Sequence, residues 1–594
     1  MDIRLLLDKP TEEEKVAVDA LLGPPESAWR GGDYEPLDGR VAYGGHAARE
    51  QRHLLLPALH AVQDAVGSIS KGALGYVSER LMIPPAEAYG VATFYALFRT
   101  DRSGGRVVHL CDDFVCSGRG AGEIASALDE AGVRWEPSPC LGQCDRAPAA
   151  LVHQPGDGYV SVAPADGSAL GADPASDQPP PVIHQARTEL RLLRRVGVVE
   201  PTSLEDYTGS GGYDVLRSAI EMGPDEVIGH LESSRLRGRG GAAFPIGAKW
   251  RGLRQAAGGG KFVIANGDES EPGTFKDRVL MEGDPFALVE AMTVYAYATG
   301  AEKGFVYLRG EYPLAERRIL AAIAQAKRAG LLGDNVAGAG FSFDLELRRG
   351  AGAYICGEET ALFASIEGHR GEPRQKPPFP TERGVFGMPT GVNNIETLLA
   401  ALAVLELGGE AFSAIGTQES TGPKLFCVSG DVERPGVYEV PLGTELDELL
   451  KLSGAIEPMA VLMGGAAGSF VDEDQFGMPL SFEGARAAGT TLGSGAVVVF
   501  SSATDFSPVL RRIARFFRDE SCGQCVPCRI GTVRQEEALA RLDARSPLGT
   551  EADERRRLDD LATAMTDSSI CGLGQTAASA IQSAIRLGLP GAPS

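Results

Sequence analysis

"RDESCGQCVPCRIG", residues 518–531, puts Cys522, Cys525 and Cys528 within seven positions of a 594-residue chain that has ten cysteines. Three thiolates leave a four-coordinate centre one ligand short. The only cysteine downstream is Cys571, in "SSICGLGQ", so the fourth ligand is expected from a later helical turn. A C-x2-C-x2-C run with one remote cysteine suits a cubane, whose four irons each take one outward thiolate. A structural zinc site more often uses two separate ligand pairs, frequently with histidine. Upstream, Cys111 and Cys116 form a C-x4-C pair, and Cys140 and Cys144 form a C-x3-C pair 24 residues later. This group fits an iron–sulfur centre and could also be arranged around zinc. Of the eight histidines only His109 lies near either group. Cys356 and Cys427 are left over and read as small buried residues.

The totals set the frame. A chain of this length divides into several domains, and 43% hydrophobic with 23% charged residues is ordinary for a globular protein. A formal charge of −23 argues against nucleic acid and against an anionic membrane surface. The N-terminal "MDIRLLLDKPTEEEK" has acidic residues where a secretory leader needs basic ones. No run of 18 apolar residues occurs, so no direct membrane insertion is expected. The expected location is cytoplasmic, where clustered cysteines serve as metal ligands rather than disulfides.

Residues 1–48 open with a helical stretch, "TEEEKVAVDALLG", and carry no assignable chemistry. Three short helices are expected over 50–100, the last opened by Pro84–Pro85. A strand ("RVVHL"), a cysteine loop, a helix ("AGEIASALDEAG") and a second cysteine loop follow, ending in "YVSVAP". Residues 165–181, "ADGSALGADPASDQPPP", have linker composition. Helices and strands alternate from about 185 to 420, including "KFVIANG", "GFVYLRG" and "FSFDLEL". Residues 421–503 are strand-rich with one helix, "ELDELLKLSG". From Ser507 onward the chain is helical, with Val509, Ile513, Phe516 and Phe517 on one apolar face.

Four loops in the alternating region have the composition of a nucleotide site. "RGRGGAAFPIGAKW", 237–250, crowds Gly238, Gly240, Gly241 and Gly247 ahead of Lys249. It follows a helix rather than a strand, so the dinucleotide fingerprint lacks its usual context. Glycines still let backbone N–H groups approach an anion, and a following helix N-terminus and lysine add positive potential. "NGDESEPGTFKD", 266–277, follows an apolar strand, where α/β proteins place ligand contacts. "GAGAYICGEETAL", 350–362, carries Tyr354, Glu358 and Glu359; "KPPFP", 376–380, and "GVNNIET", 391–397, add a lysine, an aromatic and two asparagines. No hydrolytic triad or carboxylate pair stands out. Hydride transfer needs none, because the cofactors carry that chemistry.

These motifs, with "ESCGQCVPCR" and "ICGLGQ", closely resemble the flavin- and NADH-binding subunit of the respiratory complex I family. Residues 50–165, with "CDDFVC" and "PCLGQCDRAPA", resemble that family's small thioredoxin-like [2Fe–2S] subunit. The resemblance covers nearly everything except the first 48 residues and the linker. It implies a multidomain α/β and α+β chain: an N-terminal extension, 1–48; a helical segment plus thioredoxin-like [2Fe–2S] domain, 49–164; and a linker, 165–185. A Rossmann-like FMN- and NAD-binding domain follows at 186–420. A ubiquitin-like β-grasp insert of SLBB type, 421–503, precedes a helical bundle with a [4Fe–4S] cluster, 504–594.

The resemblance also implies roles. Gly238, Gly240, Lys249, Asn266, Asp268, Glu269, Tyr354, Gly357, Glu358, Asn393 and Asn394 match positions that hold FMN. Gly241, Phe244, Glu271, Glu359, Lys376 and Phe379 match the NAD pocket, where Glu271 and Glu359 position the nicotinamide nucleotide and no acid–base residue is needed. A carboxylate at Glu359 favours a ribose hydroxyl over a 2′-phosphate. Ala243 stands where the family often has glycine. The [2Fe–2S] cluster would sit on Cys111, Cys116, Cys140 and Cys144, and the [4Fe–4S] cluster on Cys522, Cys525, Cys528 and Cys571. Fused chains of this kind serve formate dehydrogenases and NAD-reducing hydrogenases, and the wording of "NGDESEPGTFKD", "ESCGQC" and "SSICGLGQ" looks most like the formate dehydrogenase β subunit. The expectation is a diaphorase subunit that exchanges hydride between NAD and FMN. Its expected partner is a large molybdenum or tungsten α subunit that oxidises formate. The alternatives are hydrogenase subunits or the NADH-oxidising module of complex I.

Overall fold

The computed structural model describes residues 8–25, 47–101, 104–171, 184–186 and 190–592. Most of the N-terminal extension and residues 172–183 of the expected linker lie outside these.

The described part of the extension is one helix, Glu12–Leu22, started by a capping box between Thr11 and Glu14 and packed on helix Leu55–Val66. Helices Leu55–Val66, Lys71–Arg80 and Pro85–Ala92 follow, the last with proline at its first position. They lead into a four-stranded sheet ordered Trp135–Ser138, Val107–Cys111, Ala150–Gln154, Gly158–Val162. The first pair is parallel and the others antiparallel. Both cysteine pairs sit in the loops beyond one end of that sheet.

The start of the expected linker is ordered. Asp166 accepts from the N–H groups of Ser168 (2.7 Å) and Ala169 (3.3 Å), opening a helical turn, Gly167–Gly171, that buries Leu170. Gly, Ser and Ala concealed this element, because one buried leucine is too little periodicity to read. His184–Ala186 forms an edge strand on the later mixed sheet, pairing with Val437–Glu439.

The central domain holds an all-parallel sheet ordered Asp344–Arg349, Lys303–Leu308, Phe262–Gly267, Thr390–Asn394. The chain enters at Phe262–Gly267, runs outward through two strands, then returns to the other side of the first. Strand order therefore reverses between Phe262–Gly267 and Thr390–Asn394, and a crevice opens beyond their carboxyl ends at such a switch point. Helix Pro285–Thr299 is buried almost all round behind the sheet. The loops beginning at Asn266, Gly350 and Asn394 all leave from the crevice side.

Residues 423–501 form a mixed sheet ordered Ser469–Asp472, Pro458–Met463, Ala496–Ser501, Pro423–Gly430, Gly436–Pro441, with parallel central strands and helix Leu446–Ser453 packed on one face. Helices Phe506–Glu520, Val526–Asp543, Glu551–Ser568 and Ser579–Leu587 complete the fold. Ile513, Phe516 and Phe517 are buried, as the apolar face predicted, and Val509 is half-buried. Among the described residues no helix is long and apolar enough to cross a membrane.

Candidate functional site

The four C-terminal cysteines meet where three helix ends converge. Cys522 lies in the loop after helix Phe506–Glu520, and Cys525 is the cap of helix Val526–Asp543, whose first turn carries Cys528. Cys571 caps the short helix Gly572–Thr576 and accepts from the N–H groups of Leu573 and Gly574. All four line one recess of about 260 Å³, partly open to solvent, together with Ile355, Gln524 and Ile570. The amides of Leu573 and Gly574, at a helix N-terminus, favour thiolate charge at Cys571. Burial pushes the free Cys528 thiol up to about 12 and Cys571 up to about 11, so iron binding there releases protons. Four cysteines around one recess are the donor set a cubane takes. Among the described residues no three His, Cys, Asp or Glu side chains converge tightly enough for a single metal ion.

In the other quartet Cys111 ends a strand, Cys116 lies in the turn Phe114–Ser117, and Cys140 and Cys144 flank a loop; all four are buried. The Cys140 and Cys144 sulfurs are 3.5 Å apart, and the Cys111 thiol bonds with Cys116 and Cys140. The Gly142 N–H donates to Cys140 Sγ over 3.4 Å. A second amide reaches Cys140 from the central domain, that of Gly273. Bonds with the Cys111 and Cys144 thiols, with the nearby Arg309 charge, hold the Cys140 thiol well below its ordinary range. Four buried sulfurs with amide donors fit a [2Fe–2S] centre.

Arginines seat this quartet on its neighbours. The buried Arg278 donates from Nε to Gly142 O (2.9 Å) and from Nη2 to both Asp145 oxygens (2.8 and 2.9 Å). Arg309 joins Cys140 O (2.7 Å) to Glu269 O (2.6 Å). Arg512, from the cubane domain, donates to Asp112 O (3.1 Å) and Oδ1 (2.9 Å), between Cys111 and Cys116. The N-terminal quartet is thereby fixed both to the domain that carries the nucleotide loops and to the cubane domain.

Those loops meet at the switch point. The Gly-rich loop is a narrow hairpin, with Gly238 N–H donating to Phe244 O (2.9 Å) and an Arg237–Pro245 bridge. A Cβ on Gly240 would stand 3.0 Å from Asn394 Cβ, so this loop crosses the end of strand Thr390–Asn394. Asn266 Nδ2 donates to Gly357 O (2.9 Å) and its Oδ1 accepts from Asp268 N–H (3.1 Å), tying two loops together. Lys249 Nζ donates to Val392 O (2.9 Å), and burial lowers its pKa. Burial pushes Asp268 up to about 8 and Glu271 up to about 7. Side-chain-free glycines, a buried cation and inward carboxylates make a fitting cradle for FMN and its phosphate.

Phe244 and Phe379 are 53% and 56% exposed, which suits faces that stack on a base. Lys376 Nζ bonds Glu359 (2.5 Å) and Glu358 (3.0 Å). Ala243 has φ +52°, in the left-handed region that glycine prefers.

Further expected cofactor contacts are also engaged by the protein. Glu269 accepts from the N–H groups of Asp277 and Arg278 (both 2.9 Å), capping helix Lys276–Gly283. Glu358 caps helix Glu359–Ile366 through Thr360 N–H (2.8 Å) and Ala361 N–H (2.9 Å). Asn393 points inward, and with its amide turned to satisfy its neighbours accepts from Trp250 Nε1 (3.0 Å) and Tyr295 OH (3.2 Å). Asn394, one residue on, lies against Gly240 on the crevice side, as strand alternation requires, and its Nδ2 donates to Asp277 Oδ2 (2.6 Å).

Sequence reasoning missed the contribution of the β-grasp insert. Glu271 Oε1 accepts from Ala467 N–H (2.8 Å) and Oε2 from Tyr354 OH (2.6 Å). Thr274 Oγ1 bonds Ser494 Oγ (2.6 Å). Gly465 abuts Glu271, where a Cβ would stand 2.5 Å from Cγ. The signal available was the pair of glycines at 464–465, with nothing to say what they approach.

Comparison with known proteins agrees with this partition. Residues 231–403 match the Nuo51 FMN-binding domain, 43–167 a thioredoxin-like [2Fe-2S] ferredoxin, 508–587 the NADH-ubiquinone oxidoreductase-F iron-sulfur binding region, and 425–461 an SLBB domain. The second F-type chain of NADH-quinone oxidoreductase from Rhizobium meliloti (strain 1021) is 44% identical over 401 residues, 66% of this chain and 94% of that one. The alpha chain of the NAD-reducing hydrogenase HoxS from Cupriavidus necator is 35% identical over 561 residues, 91% of each chain. A crystal structure of NAD+-reducing [NiFe]-hydrogenase in the H2-reduced state superposes with TM-score 0.78 at 33% identity, covering 90% of this chain and 91% of that one.

Proposed function

This chain belongs to the family of FMN-binding, NADH-reacting proteins that includes the F-type chain of NADH-quinone oxidoreductase and the hydrogenase alpha chain, and we propose, from the wording of its motifs, that it links NAD to a formate-oxidising partner. The chain is an oxidoreductase subunit of the diaphorase type, with FMN, [2Fe–2S] and [4Fe–4S] domains. When bound, FMN supplies the exchange between two-electron hydride chemistry and the one-electron chemistry of the clusters.

The chain's own residues bind and orient. Phe244 and Phe379 hold the base of NAD, and the Lys376–Glu359 pair meets its ribose. Glu271 is held by Tyr354 OH and Ala467 N–H, which fixes its carboxylate at the nicotinamide end. The glycines at 238, 240 and 357 bring backbone against FMN, with Lys249 and Asn394 beside them. One observation carries this reading: the nucleotide loops gather at the strand switch point, tied through Arg309 to one cysteine quartet and through Tyr354 to the helix that leads into the other.

The partner is proposed to be a molybdenum or tungsten subunit, with the net reaction formate + NAD+ → CO2 + NADH. The wording of "NGDESEPGTFKD" and "SSICGLGQ" and the intact, buried N-terminal quartet support it. A hydrogenase partner is the second reading, favoured by the 91% coverage of the HoxS alpha chain. Purification of the native complex decides between them. Molybdenum or tungsten with formate-driven NAD+ reduction supports the first, and nickel with hydrogen-driven reduction supports the second. A lipid-embedded complex would assign the chain to a complex I arm.

A further inference from the structure

Between the [2Fe–2S] domain and the nucleotide loops lies open space, touched on the cluster side by Cys140. Two adjoining cavities, about 640 and 480 Å³ including solvent-open volume, share a wall of Ala96, Pro137–Pro139, Gly352, Ala353 and Glu520. The inner cavity reaches Ser270 and Tyr354, in the loops assigned to FMN. The outer one reaches Arg515 and Asp519, whose side chains are 43% and 47% exposed.

The inner wall holds polar atoms that the protein leaves unpartnered. His109 Nε2, Arg309 Nε and Glu311 Oε2 are buried without a protein partner, and their residues are 4%, 3% and 5% exposed. Buried polar atoms are rarely left without a hydrogen bond. A polar cavity of this size has room for several waters, each needing two to four polar partners, and these atoms supply them. Together the two cavities run from the nucleotide loops to the surface, with room and polar partners for water.

Redox balance gives such a chain a task. NADH passing two electrons to two one-electron acceptors yields NAD+ and one proton, and both electrons leave through the clusters. The remaining proton leaves the site by a route of its own. We propose that this crevice is the proton exit of the NADH reaction, a water-filled conduit between the [2Fe–2S] domain and the nucleotide loops. Water carries the proton, so no lining side chain needs to change its charge. Ala96 lines both cavities, and its N–H donates to Gly352 O (3.0 Å). It lies where the two cavities adjoin and outside the nucleotide and cluster residues.

The inference rests on FMN occupying the loops around Asp268 and Tyr354. Its test is Ala96→Leu, with Ala96→Met as a second, more flexible plug, in the complete chain loaded with FMN and both clusters. Stopped-flow mixing with NADH and excess ferricyanide in weak buffer follows NADH absorbance and a pH indicator together. Ferricyanide is the one-electron acceptor, and each NADH releases one proton. In the unmodified protein both signals are expected to move together. In both variants proton release should trail NADH oxidation, with a larger lag in D2O. Proton release in step with NADH oxidation in a variant that retains FMN and both cluster spectra would overturn the conduit. Failure of the unmodified protein to oxidise NADH would instead overturn the nucleotide assignment.

Discussion

Gly142 sits where the [2Fe–2S] loop meets the central domain, and Gly142→Ala tests that junction. Two costs follow from the structure. Gly142 has φ +64°, and alanine in the left-handed region costs about 1–2 kcal/mol. The new methyl would also stand 2.7 Å from two ring carbons of Tyr312 and closer still to its hydroxyl. Overpacking of this kind costs about 1–3 kcal/mol. Together they amount to about 2–5 kcal/mol, which raises the undocked population of the loop roughly 30- to 5,000-fold. The ties at risk are Arg278 to Gly142 O and Asp145, and Arg309 to Cys140 O. Hydrogen–deuterium exchange should accelerate over residues 140–146, and the [2Fe–2S] signal should bleach at lower temperature than the flavin is released. Tyr312→Phe removes the nearest atom and gives up only 3.3 Å contacts to Glu269. Adding it to Gly142→Ala should therefore recover part of the loss. Unchanged exchange and bleaching in Gly142→Ala would refute the docking described here.

Other substitutions probe the remaining parts. Cys571→Ala should abolish the cubane's EPR signal and spare that of the [2Fe–2S] cluster; loss of the latter alone would refute the ligand grouping. Glu359→Gln leaves Lys376 held by Glu358 and free to meet a 2′-phosphate. The NADP-to-NAD ratio of kcat/KM should rise roughly tenfold, about 1.4 kcal/mol, and a constant ratio would remove Glu359 from the ribose site. Ala243→Gly relieves a φ of +52° and should stabilise the nucleotide loop by about 1 kcal/mol, seen as tighter NADH binding. Weaker binding would mean that the methyl packs on the nucleotide instead of straining the loop.

What could be read from the chain was what is local in it. Cysteine spacing, glycine clustering and the Pro84–Pro85 helix start depend on neighbours a few residues apart, and these features reappear in the structure. Contacts across long separations could not be read. Glu271 and Ala467 are 196 residues apart, and only the folded chain sets the β-grasp loop on that carboxylate. Carboxylates in one motif were also indistinguishable by composition. Glu269 and Glu358 cap helices while Glu271 faces Tyr354, and the difference lies in which amides end up beneath each. The Asn393–Asn394 pair was partly legible, since the period of two in a strand sends only one of them to the crevice. The helical turn at Gly167–Gly171 was hidden by its linker-like composition.

The central claim is that eight cysteines hold two iron–sulfur clusters on either side of a flavin site. Iron, zinc and flavin analysis of anaerobically isolated protein tests it most directly. The expected content is about six iron atoms per chain, four for one cluster and two for the other, with one FMN. Stoichiometric zinc with neither iron nor flavin would contradict it.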